Sequence, residues 1–236
     1  MPTMKESLVI TRQRFQFGFH ALLSGLGYGL VSYHGREEGF EEVRRLRRQR
    51  RMLLTPVEAY QIFTLVRNLR KLPGDLAEVG VYRGASARLI HEASDGRPLH
   101  LFDTFEGLPL PSNGDLLPNG GECSALGEGW LRVEYEKVVP YLEGLENVHL
   151  YKGIFPGTSG PVADRQFSFV HLDMDLYEGT LAALEFFYPR MVPGGVILSH
   201  DYIILPGPTK AFQEYFANRS TPIIELPGAQ CMAVKI

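Results

Sequence analysis

The sequence predicts a doubly wound α/β domain with a seven-stranded, mostly parallel sheet, and three observations favour this architecture. From about Thr55 onward, stretches with a helical period alternate with short apolar strands, which is typical of repeated βαβ units. The run 167–175 is almost continuously apolar before its acids, as expected of a strand buried on both faces. Two consecutive strands end the chain, which indicates an antiparallel hairpin at one edge of the sheet.

The first helix of this domain is predicted over residues 55–71, because its start carries three matching signals. Thr55 is a preferred N-cap residue, Pro56 suits the first helical position, and Glu58 completes a capping-box spacing. Strands follow at 76–81, 99–103, 148–153, 167–175, 196–201, 222–226 and 230–235. Further helices are predicted at 84–94, 131–142, 179–190 and 208–217. Pro193-Gly194-Gly195 predicts a turn, and residues 105–129 predict a long loop of the kind that forms functional lids.

Composition narrows the class of protein further. Apolar residues make up 44% of the 236 residues, which suits one globular α/β domain with a terminal extension. A net charge of −3 offers no general attraction to a polyanion, so no nucleic-acid partner is expected. The sequence has two isolated cysteines, Cys123 and Cys231, and its start lacks the features of a signal peptide. We therefore expect a cytoplasmic protein.

Residues 1–54 precede the alternating pattern and are interpreted as a helical N-terminal extension. The stretch 15–33 is rich in apolar residues, but its glycines and polar residues make it a poor membrane span. A basic cluster over 44–51 follows acidic residues, and Glu41–Arg45 has the spacing of a helical ion pair. We expect this extension to cover the active site or to form a homodimer contact, with residues 55–236 as the main domain. An alternative is that it lies on a membrane surface.

The first strand-to-helix turn is glycine-rich and contains Glu78, Gly80, Tyr82, Gly84 and Ser86. Glycines permit a tight turn and the close approach of a ligand to the helix N-terminus. A dinucleotide-binding fingerprint would need glycine at Tyr82, so an adenosine ligand without a pyrophosphate, such as S-adenosylmethionine, fits better. Glu78 would face its amino group and Ser86 its carboxylate. A purely structural turn remains the alternative.

Two later strand ends complete the expected cofactor pocket. Asp103 ends the second strand, where an acid reaches the ribose hydroxyls of adenosine ligands in open α/β sheets. Phe155 follows the third strand after Gly153, where an aromatic ring would stack on adenine. The alternatives are a helix-capping or turn acid and a core-packing ring.

Acidic residues also end the fourth and fifth strands. Asp173 and Asp175 end the run 167–175, and strand alternation would place both side chains on one face of the sheet. His200 and Asp201 end the next strand. Several acids collect at one sheet edge at low cost only if a cation neutralises them. Oxygen ligands favour Mg²⁺ or Ca²⁺. The alternative is that these acids cap the following helices.

As a set, these motifs resemble the macrocin O-methyltransferase family, which methylates sugar hydroxyls of antibiotics. The matching stretches are AEVGVYRGASA (77–87), LFDTFEGLP (101–109), VHLYKGIFPGT (148–158), VHLDMDLYEGT (170–180), VPGGVILSHDY (192–202) and LPGPTKAFQEYF (205–216). The resemblance implies a Rossmann-like class I methyltransferase fold and methyl transfer from S-adenosylmethionine with Mg²⁺. The cofactor-binding residues expected on this basis are Glu78, Gly80, Tyr82, Gly84, Ser86, Asp103, Thr104, Phe105, Gly153 and Phe155.

Carried over to this chain, the metal ligands are Asp173, His200 and Asp201. The family usually has Asp at the position of His200, and a histidine ligand would favour a softer cation such as Mn²⁺. A second possibility is that His200 does not bind metal at all. The implied mechanism is attack by a metal-bound acceptor hydroxyl on the methyl group, with Asp175 or Asp173 as general base.

The sequence also allows three other functions. The sequence also resembles the cephalosporin hydroxylase family, which shares this sheet and acidic site. A catalytically silent fold-mate would bind S-adenosylmethionine without transferring its methyl group. An NAD-dependent oxidoreductase is disfavoured by Tyr82.

Overall fold

The computed structural model describes residues 34–123 and 126–236. Residues 38–236 form one compact unit, which contains the entire sheet. The apolar stretch predicted at 15–33 lies outside the described residues. Within the described ranges, no helix is both long enough and apolar enough to cross a bilayer.

Six helices and seven strands occupy the described residues. The helices are α1 (Glu37–Gln49), α2 (Pro56–Asn68), α3 (Ala85–Ser94), α4 (Tyr135–Leu142), α5 (Tyr177–Phe187) and α6 (Pro206–Phe216). The strands are β1 (Asp75–Val79), β2 (Leu99–Asp103), β3 (Val148–Lys152), β4 (Phe167–Leu172), β5 (Met191–Ser199), β6 (Ile223–Glu225) and β7 (Cys231–Val234).

The strand order is β3-β2-β1-β4-β5-β7-β6, and this confirms the predicted fold class. Strands β1 to β5 pair in parallel, whereas β7 pairs antiparallel with both β5 and β6. The order reverses between β1 and β4, and ligands of open α/β sheets bind at such a point, outside the carboxyl ends of the strands.

Side chains alternate between the two faces of the sheet. Leu76 and Leu101 pack with helices α1 to α4 on one face, and Ala77 and Phe102 pack with α5 and α6 on the other. The capping box of α2 is present, since Thr55 and Glu58 bond to each other's backbone amides. Burial on both faces explains why the central strands are apolar throughout.

Three local predictions were wrong. The turn expected at 193–195 lies inside β5, because backbone hydrogen bonds of 2.8 Å join Gly194 and Gly195 to Lys235. The fourth strand ends at Leu172 rather than at residue 175, so strand alternation does not place its acids. Arg45 forms ion pairs with Glu42 of its own helix and Glu92 of α3 instead of Glu41.

Candidate active site

A cavity of about 410 Å³ opens at the carboxyl ends of β1, β2, β4 and β5. This volume lies within the range of pockets that bind small molecules. Among the residues predicted to form the site, those lining the cavity are Gly80, Tyr82, Ser86, Asp103, Thr104, Gly153, Phe155, Asp173, Asp175, His200 and Asp201. Glu78, Gly84 and Phe105 do not line it.

The Asp103 carboxylate holds the first turn in place. Its Oδ2 accepts backbone hydrogen bonds of 2.7 Å from Val81 and Tyr82, and its Oδ1 accepts one of 2.6 Å from Phe105. Burial raises the pKa of Asp103, although these three amides lower it. Because a carboxylate offers about four acceptor sites, one remains for a ligand hydroxyl. The turn role and the predicted ligand role are therefore compatible.

Gly80 is required by the close approach of a neighbouring loop. It has a φ of +92°, and a Cβ at this position would lie 1.8 Å from the carbonyl oxygen of Asp173. Asp173 in turn donates its backbone N–H to Val79 at 2.9 Å. The glycine therefore allows the loop carrying Asp173 to lie against the first turn.

Glu78 lies beneath the cavity in the core of the sheet. Its Oε1 is 2.9 Å from Nδ1 of His171, and both side chains are fully buried. Burial raises the pKa of Glu78, and His171 opposes that shift. Glu78 therefore does not line the cavity, and its predicted contact with the cofactor stays a prediction.

Asp173, His200 and Asp201 converge at the floor of the cavity. One ligand atom from each lies within 4.8 Å of the other two. Nδ1 of His200 is 3.2 Å from Oδ1 of Asp173 and 2.9 Å from Oδ2 of Asp201. Its Nε2 lies 3.6 Å from Oε2 of Glu58, which is nearly buried at the start of α2.

The carboxylates control the protonation of this cluster. Burial by itself would lower the pKa of His200, but the charges of Asp173, Asp201 and Glu58 outweigh it and raise that pKa well above its ordinary value. Burial likewise opposes ionisation of Glu58, yet the ion pair with His200 and hydrogen bonds from two backbone amides lower its pKa to about 2. A positively charged His200 is therefore stabilised by the carboxylates of Asp173, Asp201 and Glu58 around it.

This donor set also fits a divalent cation. Neighbouring ligands of an octahedral ion with bonds of about 2.1 Å lie about 3 Å apart. The separations around Nδ1 of His200 match that spacing, and one nitrogen with two carboxylate oxygens is a common transition-metal set. Two arrangements thus satisfy the geometry: an imidazolium paired with two carboxylates, or three ligands around a cation.

Asp175 lies beside the cluster in strained backbone. It has a φ of +60°, and Asp201 has a φ of +58°, so both acids adopt the left-handed conformation. Burial, followed by the charges of Asp173 and Asp201, raises the pKa of Asp175 well above its ordinary value. Strained residues of this kind cluster at functional sites because the surrounding fold holds them in place.

Several lining residues carry no signal in the sequence. Residues 51–54, Trp130, Leu131, Ile204 and Leu205 border the cavity and lie outside the helices and strands, and the sequence does not mark them as site residues. Glu58 shows only its capping signal, and nothing in the sequence relates it to His200.

Part of the long loop over residues 105–129 is anchored to helix α5, since Oδ1 of Asp115 accepts a 2.7 Å hydrogen bond from the backbone N–H of Tyr177.

Comparisons with known proteins give a consistent result. Residues 60–228 match the family described as macrocin-O-methyltransferase (TylF). The chain is 34% identical over 142 residues to the 8-demethyl-8-(2,3-dimethoxy-alpha-L-rhamnosyl)-tetracenomycin-C 4'-O-methyltransferase of Streptomyces olivaceus, covering 56% of this chain and 54% of that protein. It is 28% identical over 156 residues to the demethyldecarbamoylnovobiocin O-methyltransferase of Streptomyces niveus, covering 62% of this chain and 59% of that protein. The matches thus span little more than half the length of these relatives.

Solved structures extend the similarity at the level of the fold. The O-methyltransferase NovP superimposes with a TM-score of 0.64 at 26% identity, covering 78% of this chain and 81% of that chain. An O-methyltransferase from Bacillus cereus in complex with SAH has a TM-score of 0.57 at 15% identity, covering 84% of this chain and 91% of that chain. The second likeness is one of fold alone.

Proposed function

The chain belongs to the macrocin O-methyltransferase family, and from this premise we propose that it transfers a methyl group from S-adenosylmethionine to a hydroxyl oxygen with the help of a divalent cation. The acceptor is a small molecule with a vicinal diol, most simply a sugar. The observation that carries this proposal is the convergence of Asp173, His200 and Asp201 in a cavity that Asp103 and Phe155 also line.

The first turn and the end of β2 supply the cofactor site in this proposal. Asp103 accepts from a ribose hydroxyl with its remaining acceptor site, and Phe155 packs along the adenine. Ser86 lies in the first turn of α3, where backbone amides and a hydroxyl suit a carboxylate. When bound, S-adenosylmethionine supplies a methyl group activated by its sulfonium.

Asp173, His200 and Asp201 hold the cation and thereby fix the acceptor in this proposal. When bound, the cation supplies Lewis-acid chemistry that lowers the pKa of a coordinated hydroxyl. The raised pKa of Asp175, caused by burial and its acidic neighbours, suits a group that accepts the hydroxyl proton. Asp173 is the other carboxylate within reach of the same position.

The loop over residues 105–129 is proposed to exclude water. Leu108 and Pro109 at its start and Trp130 just after its end line the cavity, so a small movement of this loop changes access to it. The apolar rim formed by Leu53, Trp130 and Ile204 would contact the part of the acceptor remote from the reacting hydroxyl.

The expected environment and assembly are extensions of the same proposal. The two cysteines are free, which is consistent with the reducing cytoplasm. A homodimer contact through the N-terminal extension is tested by light scattering of the chain with and without residues 1–33.

One observation favours a second candidate, a binding protein that retains the cofactor pocket without catalysis. Nδ1 of His200 lies within hydrogen-bond distance of both Asp173 and Asp201, so an imidazolium could neutralise these acids without a metal. The family match and the nearby Asp175 weigh in favour of methyl transfer.

Product analysis and calorimetry separate these functions. We expect glycosides, catechols and other vicinal diols, incubated with S-adenosylmethionine and several metals, to yield one acceptor class that gains a methyl group. Asp173→Ala should abolish that transfer, and Asp164→Ala, at an exposed acid remote from the cavity, should not. Cofactor binding without transfer to any acceptor would favour the binding protein, and a product that gains oxygen would favour a hydroxylase.

A further inference from the structure

The two ring nitrogens of His200 face different carboxylates. Nδ1 points into the cavity cluster, 3.2 Å from Asp173 and 2.9 Å from Asp201. Nε2 points the other way, to Oε2 of Glu58 at 3.6 Å. This last distance is an ion-pair contact rather than a hydrogen bond, and a ring shift of about half an ångström would close it.

Glu58 is itself held rigidly by two segments that are far apart in sequence. Its Oε2 accepts a 2.8 Å hydrogen bond from the backbone N–H of Thr55, and its Oε1 accepts one of 2.8 Å from Ala229. The Glu58 residue is 3% exposed, and a Cβ at Gly228 would lie 2.5 Å from Oε1. The carboxylate therefore cannot turn away from His200 without breaking both bonds.

This arrangement suits one tautomer of His200 once a cation replaces the proton on Nδ1. A neutral ring carries a single N–H, and a carboxylate stabilises the N–H that faces it. With a cation held by Nδ1 and the oxygens of Asp173 and Asp201, the lone pair of Nδ1 would face the cation and the N–H on Nε2 would face Glu58. Without a cation, the two closer carboxylates favour a proton on Nδ1, so this ligating tautomer depends on the bound metal.

We propose that Glu58 is a positioning residue that presents Nδ1 of His200 as a metal ligand and so gives the site a preference for a transition-metal cation such as Mn²⁺ over Mg²⁺. The inference rests on the metal-assisted function proposed above. Carboxylate–histidine pairs of this type fix the orientation of a ligating ring and raise its basicity. The nitrogen ligand accounts for the selectivity, since imidazole binds Mg²⁺ poorly.

The test measures Mn²⁺ affinity of the full chain by electron paramagnetic resonance, using free Mn²⁺ as the probe. Glu58→Gln should weaken binding by about 10- to 100-fold, the range for such outer partners of metal-bound histidines. Thr55→Ala is the matched control, because it removes the hydroxyl that caps α2 and leaves the carboxylate facing His200. Its Mn²⁺ affinity should stay within about threefold of the wild type, a change of well under 1 kcal/mol.

A double-mutant cycle separates positioning from a general loss of structure. In a His200→Asp background, Glu58 would face another carboxylate across the site, so Glu58→Gln should leave Mn²⁺ affinity unchanged or raise it. His200→Asp alone should shift the preference toward Mg²⁺. An equal loss in both backgrounds, or no loss in the His200 background, would overturn the proposal. Wild-type protein that binds no Mn²⁺ would also overturn it, and the acceptor screen would then report separately whether methyl transfer remains.

A measurement on the wild type covers the case in which Glu58→Gln fails to fold. Long-range ¹H–¹⁵N spectra, with diamagnetic Zn²⁺ as the probe, assign the proton on each ring nitrogen of His200. We expect a protonated Nε2 and a metal-bound Nδ1. A ring protonated on Nδ1, or on both nitrogens in the presence of Zn²⁺, would overturn the assignment.

Discussion

Gly80→Ala is the substitution that most sharply tests how the fold positions Asp173. The new methyl group would start 1.8 Å from the carbonyl oxygen of Asp173, whereas real Cβ atoms essentially never approach closer than 3.0 Å. The loop carrying Asp173 must therefore move by more than about 1 Å, and a misplacement of that size costs on the order of 100-fold in rate. The φ of +92° adds about 1–2 kcal/mol of backbone strain.

Gly144→Ala is the matched control for this substitution. Gly144 has a φ of +80°, and a Cβ there would meet nothing within 4 Å, so the control carries the strain without the collision. Urea unfolding should show a loss of about 1–2 kcal/mol for the control and clearly more for Gly80→Ala. Methyl transfer should fall about 100-fold in Gly80→Ala alone, and Mn²⁺ binding should weaken in the same variant. A folded Gly80→Ala protein as active as the control would refute the positioning role of this contact.

Three further substitutions test other parts of the account. Asp103→Asn should lower the free energy of unfolding in urea by about 1–3 kcal/mol, because an amide cannot accept all three backbone hydrogen bonds. It should also weaken S-adenosylmethionine binding measured by calorimetry. An unchanged stability and affinity would contradict the role of Asp103. Asp175→Asn should reduce turnover by about 10²- to 10⁴-fold while cofactor affinity is retained, and transfer at the wild-type rate would exclude Asp175 as the base. Burial lowers the pKa of His100 from 6.5, against the opposing charge of Asp75, so the folded chain binds this proton less readily than the unfolded chain. The corresponding contribution to the free energy of unfolding is present above pH 6.5 and is lost as the pH falls below it. His100→Gln should therefore lose less stability than the wild type between about pH 7.5 and 5.5. Equal losses in the two proteins would contradict the assignment to His100.

The strands and helices of the sheet were predictable because burial leaves a pattern in the sequence. Strands buried on both faces leave continuous apolar runs, and each crossover helix leaves a helical period between them. The hairpin at the end of the sequence was confirmed as β6 and β7. The turn predicted at Pro193-Gly194-Gly195 was wrong because this segment pairs with Lys235, which is distant in sequence. Backbone pairing with Lys235 overrides the local turn preference.

The acidic edge of the site was predictable for a similar reason, and its finer contacts were not. Parallel strands bring their carboxyl ends together, so Asp173 and Asp201 had to be neighbours. Sequence spacing does not show that Glu78 pairs with His171 in the core, or that Glu58 faces His200 across more than a hundred positions. Such contacts depend on how distant elements pack, and no local pattern records them.

Methyl transfer by enzyme treated with a chelator and then resupplied with metal tests the central claim most directly. The measurement follows label from methyl-tritiated S-adenosylmethionine into the hydroxyl of a vicinal-diol glycoside. The account predicts transfer that is lost on chelation, restored by Mn²⁺ more fully than by Mg²⁺, and absent in Asp173→Ala. Full transfer by the chelated enzyme would contradict the metal-binding role assigned to Asp173, His200 and Asp201. Cofactor binding without transfer to any acceptor would contradict the proposal that the chain is a methyltransferase.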